Sequence, residues 1–202
     1  MIVAKWDNGT PKKVNYVVGE GVKQEIVGRI TYYENGQIIK EETYKDGKLD
    51  GRFTGWYESG QKRIAGSYKD GKHRGIWTSW DSSGVKRSFS YWLHKGYVAD
   101  YNKEYDKAIS FYLRSIELKP DDADAYFNMG IAYNNQGNYP KAIESYEKAI
   151  DLKPDYASAY NNMGNAYHDQ GNTQLQILNY KKAAKLGHQG CQDWLKKYGH
   201  DW

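Results

Sequence analysis

The side chains of this sequence that could ligate a metal or attack a substrate are five histidines and one cysteine. The histidines are scattered along the chain, without an HExxH motif or a second ligand at metal-binding spacing. They are His73, His94, His168, His188 and His200. Cys191 has no CxxC partner, and a small buried thiol is the state expected for it. The sequence therefore predicts no catalytic residue, no metal site and no cofactor.

Two further motifs contain residue types found in functional sites, but their spacing does not match that of a phosphate-binding loop or an acid–base pair. The segment Gly19-Glu20-Gly21 lacks the Gly-Lys-Ser/Thr of a phosphate-binding loop and is more typical of a hairpin turn. Glu41 and Glu42 are adjacent on a predicted strand, so their side chains point to opposite faces and do not form an acid–base pair. We therefore expect a binding protein and not an enzyme.

The composition indicates a folded protein with much half-buried surface. The 202 residues include 20 Tyr and 7 Trp but 4 Phe, and Tyr and Trp suit surfaces where one end of the ring stays in water. A single Cys fits a reducing compartment, and the sequence has neither a signal-peptide h-region nor a run of about 18 apolar residues. These features predict a soluble cytoplasmic protein.

Positive charge is concentrated in the first half of the chain. Residues 1–92 contain 16 Lys and Arg against 11 Asp and Glu, a net charge of +5, whereas residues 93–202 have a net charge of −1. The excess is mild. Contact of the first half with nucleic acid or anionic lipid is compatible with this charge but is not required by it.

A first repeat, with a period of 24, runs through the first half of the chain. Gly36, Gly60 and Gly84 are spaced by this period, and Tyr-Lys-Asp-Gly-Lys at 44–48 recurs at 68–72. Asp-Gly and Asn-Gly supply the positive φ angles of tight hairpin turns, and the residues between the turns alternate as they do in strands. This pattern predicts a long antiparallel β-meander.

Residues 27–92 resemble the MORN repeat variant of bacterial proteins, in which Tyr-x-x-Gly and Tyr-Lys-Asp-Gly-Lys elements recur in tandem. The aromatic residues at this spacing have two interpretations. They form cross-strand contacts that hold a thin sheet together, or they stack on single-stranded nucleic acid beside basic side chains. Acidic residues are interleaved with the basic ones, so packing is the favoured interpretation. The candidate sheet-surface binding residues are Arg29, Lys62, Arg63, Lys86 and Arg87.

A second repeat, with a period of 34, runs through the second half of the chain. It consists of large and small residues at helical spacing: Tyr126, Met129, Gly130 and Tyr133, which recur as Tyr160, Met163, Gly164 and Tyr167. This spacing predicts an apolar stripe on each of two helices per unit, and small Gly130 and Ala142 let the helices approach closely. The period resembles the tetratricopeptide (TPR) repeat over about residues 97–188. The resemblance implies stacked helical hairpins with a concave binding surface.

The boundary between the two repeats predicts the domain organisation. Trp92 fits the spacing of the first repeat and also that of the second. Its match to the first repeat is the stronger one, so we expect a strand to end there. The first helical unit would then be shortened and begin at about Tyr97, and residues 192–198 would form a capping helix. The predicted fold is α+β, with an antiparallel meander of MORN-like hairpins at 1–95 and a helical TPR stack at 96–202.

In TPR families the first helix of each unit lines the concave surface. Carried over by position, the resemblance implies these partner-binding residues: Asp124, Phe127, Ile131, Asn134, Asn135, Asn161, Asn165 and His168. Neither 121–135 nor 157–169 contains Lys or Arg, so a clamp for a C-terminal carboxylate is not expected. We expect a peptide held by an apolar anchor at Phe127 and Ile131 and by asparagine side chains. The alternative is that Phe127 and Ile131 only contact the preceding unit.

The favoured function is that of a non-enzymatic adaptor or scaffold. Its TPR groove would bind a peptide or folded segment of another protein, and its sheet would be a second binding surface. The alternatives are an antitoxin-like inhibitor or immunity protein, and a sheet that binds anionic lipid or nucleic acid, of which nucleic acid is the less favoured. A homodimer is a further alternative.

Overall fold

The structure is a computed structural model that describes residues 2–19 and 24–202. It divides into two compact units, residues 1–88 and residues 89–202. The segment Gly19-Glu20-Gly21 lies in part outside the described residues, so the hairpin turn expected there stays a prediction.

Over the described residues, the first unit is one antiparallel sheet of eight strands in sequential order. The strands are β1 (Ile2–Lys5), β2 (Pro11–Val18), β3 (Glu25–Tyr32), β4 (Ile38–Lys45), β5 (Lys48–Trp56), β6 (Lys62–Lys69), β7 (Lys72–Trp80) and β8 (Lys86–Arg87). Each strand pairs with its neighbours in sequence. The predicted antiparallel meander is confirmed.

The turns of the sheet repeat because the residues that favour them repeat. Between β3 and β4 the Tyr33 amide donates to the Gln37 carbonyl at 2.8 Å, and the φ angle of Gly36 is +85°. The same hydrogen bond recurs in the next copy of the first repeat, between β5 and β6. Between β4 and β5, Asp46 and Gly47 both have positive φ angles, as a tight Asp-Gly turn requires.

Aromatic side chains pack across neighbouring strands of the sheet. The Phe53 ring lies 5.7 Å from the Tyr68 ring and 5.4 Å from the Trp77 ring. The Tyr68 and Trp77 rings are 5.0 Å apart in an edge-to-face arrangement. Trp77 also lies against Gly66, where a Cβ would overlap the indole. These contacts agree with the cross-strand packing interpretation of the aromatic residues.

Over the described residues, the second unit contains seven helices. They are α1 (Phe89–Tyr101), α2 (Tyr105–Leu118), α3 (Ala123–Asn135), α4 (Tyr139–Leu152), α5 (Ala157–Asp169), α6 (Thr173–Lys185) and α7 (Gln189–Lys197). The helices α1 and α2, α3 and α4, and α5 and α6 pack as three successive hairpins. The predicted helical stack after the sheet is therefore confirmed.

The same glycine–tyrosine contact closes each helical hairpin. A Cβ at Gly130 would lie 2.5 Å from Cε1 of Tyr146, and a Cβ at Gly164 would lie 2.7 Å from the Tyr180 ring. Gly96 of α1 makes the equivalent contact with Tyr112 of α2. The separation along the chain from the glycine to its tyrosine is the same in all three hairpins. Only glycine leaves room for the ring at this distance between the two helices.

Trp92 is part of a helix, so the expectation that a strand ends there is wrong. Helix α1 begins at Phe89 and has 13 residues, so the first helix is not shortened to start at about Tyr97. Trp92 is 3% exposed, and its indole lies 5.9 Å from the Phe111 ring and 4.6 Å from the Arg114 guanidinium. The third copy of the first repeat has no Asp-Gly turn after Trp92, so a further hairpin is not favoured there. Burial of Trp92 against α2 favours the helix instead.

Helix α7 packs on α6 and covers the end of the stack. Leu195 is fully buried, and the Trp194 indole lies 4.9 Å from the Tyr180 ring in an edge-to-face arrangement. The His188 side chain accepts a hydrogen bond from the Cys191 amide and so caps the start of the helix. The predicted capping helix is present and begins three residues earlier than expected, at Gln189.

Candidate partner-binding groove

Helices α1, α3 and α5 lie side by side, since α1 contacts α3 and α3 contacts α5. We call their common face the groove, and between α3 and α5 this face contains a cleft of about 200 Å³. The cleft is lined by Ile131, Asn134, Asn135, Tyr146, Asn162 and Asn165. All of these except Tyr146 and Asn162 are among the partner-binding residues predicted from the sequence.

Phe127 and Ile131 both take part in packing between helical hairpins. The Phe127 ring lies 4.8 Å from the Tyr156 ring and 6.0 Å from the Tyr146 ring. Phe127 and Ile131 both pack against an apolar cluster that contains Tyr146 of α4 and Met163 of α5. Both residues thus contact α4 and the following unit. The alternative considered from the sequence was contact with the preceding unit. Of the two, Ile131 also lines the cleft.

The asparagines of α5 are engaged within the protein. The Asn161 Oδ1 accepts a hydrogen bond from the Cys191 thiol at 3.1 Å, and the Asn161 Nδ2 donates to Asn162 at 3.0 Å. The Asn165 Oδ1 accepts a hydrogen bond from the Tyr180 hydroxyl at 2.5 Å. Burial raises the pKa of Cys191 to about 11, which keeps this thiol protonated and weakly reactive. Helix α5 therefore presents fewer unengaged amide groups than its sequence indicates.

Two polar groups beside the groove have no hydrogen-bond partner among the described residues. The Asn134 Oδ1 is buried and unpaired, although its side chain lines the cleft. The Tyr112 hydroxyl is also unpaired, and this residue is fully buried. Buried polar groups are normally hydrogen-bonded, so these two atoms are exceptions within the helical unit.

Asp100 and Tyr97 of α1 are groove residues that the sequence analysis missed. In the register of the second repeat, they correspond to Asn134 and Ile131 of the following unit. The Asn135 Nδ2 donates to the Asp100 Oδ1 at 3.4 Å, which places this carboxylate beside α3. Burial raises the pKa of Asp100. The signal that could have found both residues was the fit of α1 to the register of the second repeat.

Asp124 lies in the first turn of α3 and faces a tyrosine. The Tyr156 hydroxyl donates to the Asp124 Oδ1 at 2.8 Å. Burial, and then this hydrogen bond and the Asp124 charge, raise the pKa of Tyr156. The Lys153 ammonium lies over the Tyr156 ring, 4.6 Å from its centroid. The side chain that caps α3 is Asp122, which accepts from the amides of Asp124 and Ala125, so the Asp124 carboxylate is not needed as a cap.

Asn135 and His168 lie at the exposed ends of α3 and α5. The His168 Nδ1 is 3.1 Å from the Asp169 Oδ1, and both side chains are exposed. Neither Asn135 nor His168 belongs to the apolar clusters of the helical unit. Substitution at these two positions therefore changes the groove surface without removing a core contact.

Arg29, one of the predicted sheet-surface cations, is held in a network on the sheet. Its Nε donates to the Asn15 Oδ1 at 2.9 Å, and its Nη1 donates to the Tyr44 hydroxyl at 2.8 Å. The network includes Glu42, which is 6% exposed and forms an ion pair with Lys40 at 2.7 Å. The Arg29 side chain is therefore engaged in hydrogen bonds within the sheet.

The other four predicted cations of the sheet differ in their surroundings. Arg87 forms an ion pair with Asp81 at 2.7 Å. Lys62 and Lys86 are exposed at the first positions of β6 and β8, and Arg63 is half-buried on β6. The basic character of the sheet surface is therefore weaker than the count of cations in the sequence indicates.

The groups that the groove presents are hydroxyls, amides and carboxylates, which form hydrogen bonds and ion pairs. Among the described residues, no cluster of three or more His, Cys, Asp or Glu side chains could hold a metal ion. Within the part of the chain that the structure describes, no helix has both the length and the apolar character needed to cross a membrane.

Solved structures that are similar to this chain contain TPR repeats. The first TPR of Spaghetti (RPAP3), bound to the HSP90 peptide SRMEEVD, is 20% identical with a TM-score of 0.52, and the match covers 59% of this chain and 94% of that one. The Arabidopsis OM64 TPR domain is 22% identical with a TM-score of 0.51, and the match covers 55% of this chain and 96% of the domain. At these identities the likeness concerns the fold alone.

A third structure, MamA, is 32% identical with a TM-score of 0.49, and the match covers 52% of this chain and 61% of MamA. This chain thus spans about three fifths of the MamA chain. No curated protein matches this sequence.

Comparison with protein families gives matches in both units. Residues 29–46 and 49–70 match the MORN repeat variant. Tetratricopeptide repeat families match residues 111–144, residues 130–171, and residues 89–122 together with 157–186. The first of these matches along the chain starts at residue 89, where α1 begins. The chain therefore carries MORN repeat variants in its sheet, followed by tetratricopeptide repeats in its helices.

Proposed function

We propose that this chain is a non-enzymatic adaptor whose groove, formed by α1, α3 and α5, binds a segment of another protein. TPR repeats and TPR structures of the same fold support a role in protein–protein interaction. The observation that carries the proposal is the cleft between α3 and α5, where Ile131 lies among asparagine side chains. An aliphatic contact surrounded by amides suits a peptide, whose backbone needs hydrogen-bond partners.

In this proposal the sheet is a second contact surface, and the chain acts in the cytoplasm, where its single thiol stays reduced. The exposed lysines Lys62 and Lys86 are the sheet cations best placed to meet a partner. The groove and the sheet would then connect two molecules, which is what an adaptor does.

The occupant that we propose for the groove differs from the peptide bound by the first TPR of Spaghetti. That peptide, SRMEEVD, is rich in carboxylates. Helices α3 and α5 contain no Lys or Arg with which to hold such a segment. We therefore do not extend that peptide class to this chain.

A pull-down with the full chain tests the proposal. The groove variant combines Asn135→Trp with His168→Trp, which fill the exposed ends of the groove without a change of net charge at neutral pH. The control variant combines Ser110→Trp with Gln174→Trp, at exposed positions of α2 and α6. We expect a stoichiometric protein partner with the wild type and the control, and its loss with the groove variant. All three proteins should have the same helical circular dichroism spectrum.

Equal recovery of the partner by the groove variant would contradict the proposal. An eluate of nucleic acid or lipid that the groove variant leaves unchanged would move the function to the sheet.

A further inference from the structure

The charge of the groove indicates which kind of protein segment it binds, and this inference rests on the proposed function. Asp100 on α1 and Asp124 on α3 supply carboxylates to the groove. Helices α3 and α5 contain no Lys or Arg. On α1 the ammonium of Lys95 lies over the Tyr91 ring, 5.9 Å from its centroid. Lys153, in the turn before α5, lies over the Tyr156 ring, 4.6 Å from its centroid. The three helices α1, α3 and α5 nevertheless contain three Asp against one Lys, although the whole chain has a net charge of +4.

The Asp100 carboxylate is partly buried, and it forms no ion pair with any side chain that the structure describes. Among the described residues its hydrogen-bond donor is Asn135, at the long distance of 3.4 Å. Burial raises the pKa of Asp100, because removal from water disfavours the ionised form. The negative charge at neutral pH therefore carries a cost in folding free energy, which a cation from a partner would offset.

The charge of the same carboxylate acts on the buried hydroxyl of Tyr112. Tyr112 is fully buried, and its hydroxyl has no hydrogen-bond partner among the described residues. Burial, and then the charges of Asp100 and Tyr97, raise the pKa of Tyr112. The equivalent tyrosine of the next unit, Tyr146, lines the cleft.

The unpaired groups on this face are mainly acceptors. The Asn134 Oδ1 is buried without a donor, the Asp100 carboxylate accepts one long hydrogen bond, and the Tyr112 hydroxyl can accept as well as donate. Asp100 is only partly buried, and a ligand that pairs with its carboxylate must supply N–H groups. Ammonium and guanidinium groups have three and about five such donors.

Exposed aromatic rings add to the attraction for a cation. Tyr97 is 52% exposed and Tyr101 is 89% exposed, both on α1. The Tyr97 ring lies 6.3 Å from the ring of Tyr112. The face of an aromatic ring attracts Lys and Arg side chains, so these rings and the Asp100 carboxylate favour the same kind of ligand.

We propose that the groove binds a partner segment that carries lysine or arginine, with one cationic side chain paired with Asp100 and a second paired with Asp124. The apolar contact at Ile131 and the amides of the cleft hold the rest of the segment. Acidic segments are disfavoured, because their carboxylates would face the carboxylates of Asp100 and Asp124.

A selection from a library of random short peptides displayed on phage tests this proposal on the full chain. The charge variant combines Asp100→Asn with Asp124→Asn, which keep the size of the side chains and leave the α3 cap at Asp122 intact. The control combines Glu144→Gln with Asp151→Asn, both exposed on α4, and removes the same charge elsewhere. The Trp variant of the groove described above is the third comparison.

We expect the wild type to select peptides enriched in Lys and Arg relative to the unselected library. For a selected synthetic peptide, fluorescence anisotropy should show about tenfold weaker binding to the charge variant and unchanged binding to the control. The same peptide with every Lys and Arg replaced by Gln should lose affinity for the wild type to a similar extent.

Three outcomes would overturn the inference, and they separate it from the adaptor proposal. Groove-dependent peptides that are neutral or acidic would overturn the charge preference and leave the adaptor proposal standing. Basic peptides that bind the charge variant and the control equally weakly would show general attraction and not a groove contact. Selected peptides whose binding survives the Trp variant would overturn both proposals.

Discussion

Three tyrosines occupy the same position in successive helical hairpins, but their hydroxyl groups meet different surroundings. The Tyr180 hydroxyl donates to Asn165, and Tyr146 lines the cleft together with Asn162. The Tyr112 hydroxyl has no partner among the described residues. Burial raises the pKa of all three, so each is a neutral phenol in the folded protein at physiological pH. Equal positions in the repeat therefore do not mean equal contributions to stability.

Replacement of these tyrosines by phenylalanine should have opposite effects. Tyr112→Phe removes an unpaired buried hydroxyl, and we expect the free energy of unfolding to rise by up to about 1 kcal/mol. Tyr180→Phe leaves the Asn165 Oδ1 without its donor, and we expect a loss of about 1 kcal/mol. Urea denaturation followed by circular dichroism measures both. A loss of equal size in the two variants would show that the Tyr112 hydroxyl is hydrogen-bonded in solution.

At the scale of elements, the helical hairpins depend on close approach at one glycine. Gly130 of α3 lies directly under the Tyr146 ring of α4, and a Cβ there would lie 2.5 Å from the ring. Alanine normally stabilises a helix by about 1 kcal/mol relative to glycine. In this position, however, steric overlap with the neighbouring helix outweighs that preference.

Gly130→Ala should therefore destabilise the helical unit by about 1–3 kcal/mol, because the two helices must move apart. Gly190 of α7 provides the matched control, since a Cβ there would meet its nearest atom, Cε1 of His188, at 3.5 Å. Gly190→Ala should raise the thermal midpoint slightly through helix propensity. The prediction fails if both substitutions change the midpoint in the same direction.

Most elements could be predicted from the sequence because each repeat carries its own turns and helical spacing. Helix α1 could not, since Trp92 fits two registers and its burial against α2 decides between them. Ile131 and Asn134 could be placed in the groove by position in the repeat. The engagement of Asn161 by Cys191 could not be predicted, because it depends on the packing of α7, which lies a whole helical hairpin further along the chain.

At the scale of the whole molecule, each of the two units has its own internal contacts. The sheet is held by pairing of strands adjacent in sequence, and the helices by packing of successive hairpins. The division falls between Ser88 and Phe89. Because the apolar clusters of the second unit contain no residue before residue 89, this unit has what it needs to fold by itself.

A fragment of residues 89–202 should thus be helical and unfold cooperatively. A fragment of residues 97–202 lacks Trp92 and Gly96, which pack against α2, and should melt at least about 10 °C lower. Circular dichroism during heating measures both midpoints. Equal midpoints would mean that the first half of α1 contributes nothing to the stability of the stack.

The repetition of the glycine–tyrosine contact has a consequence for how such a protein can evolve. A duplication of the codons for residues 123–156 would insert a hairpin that brings its own Gly130 and Tyr146 contact. A duplication of one copy of the first repeat would add two strands to the sheet and keep the antiparallel order. The length of the groove and the number of strands in the sheet can therefore change independently of each other during evolution. Selection can extend the one that meets a larger partner without rebuilding the other.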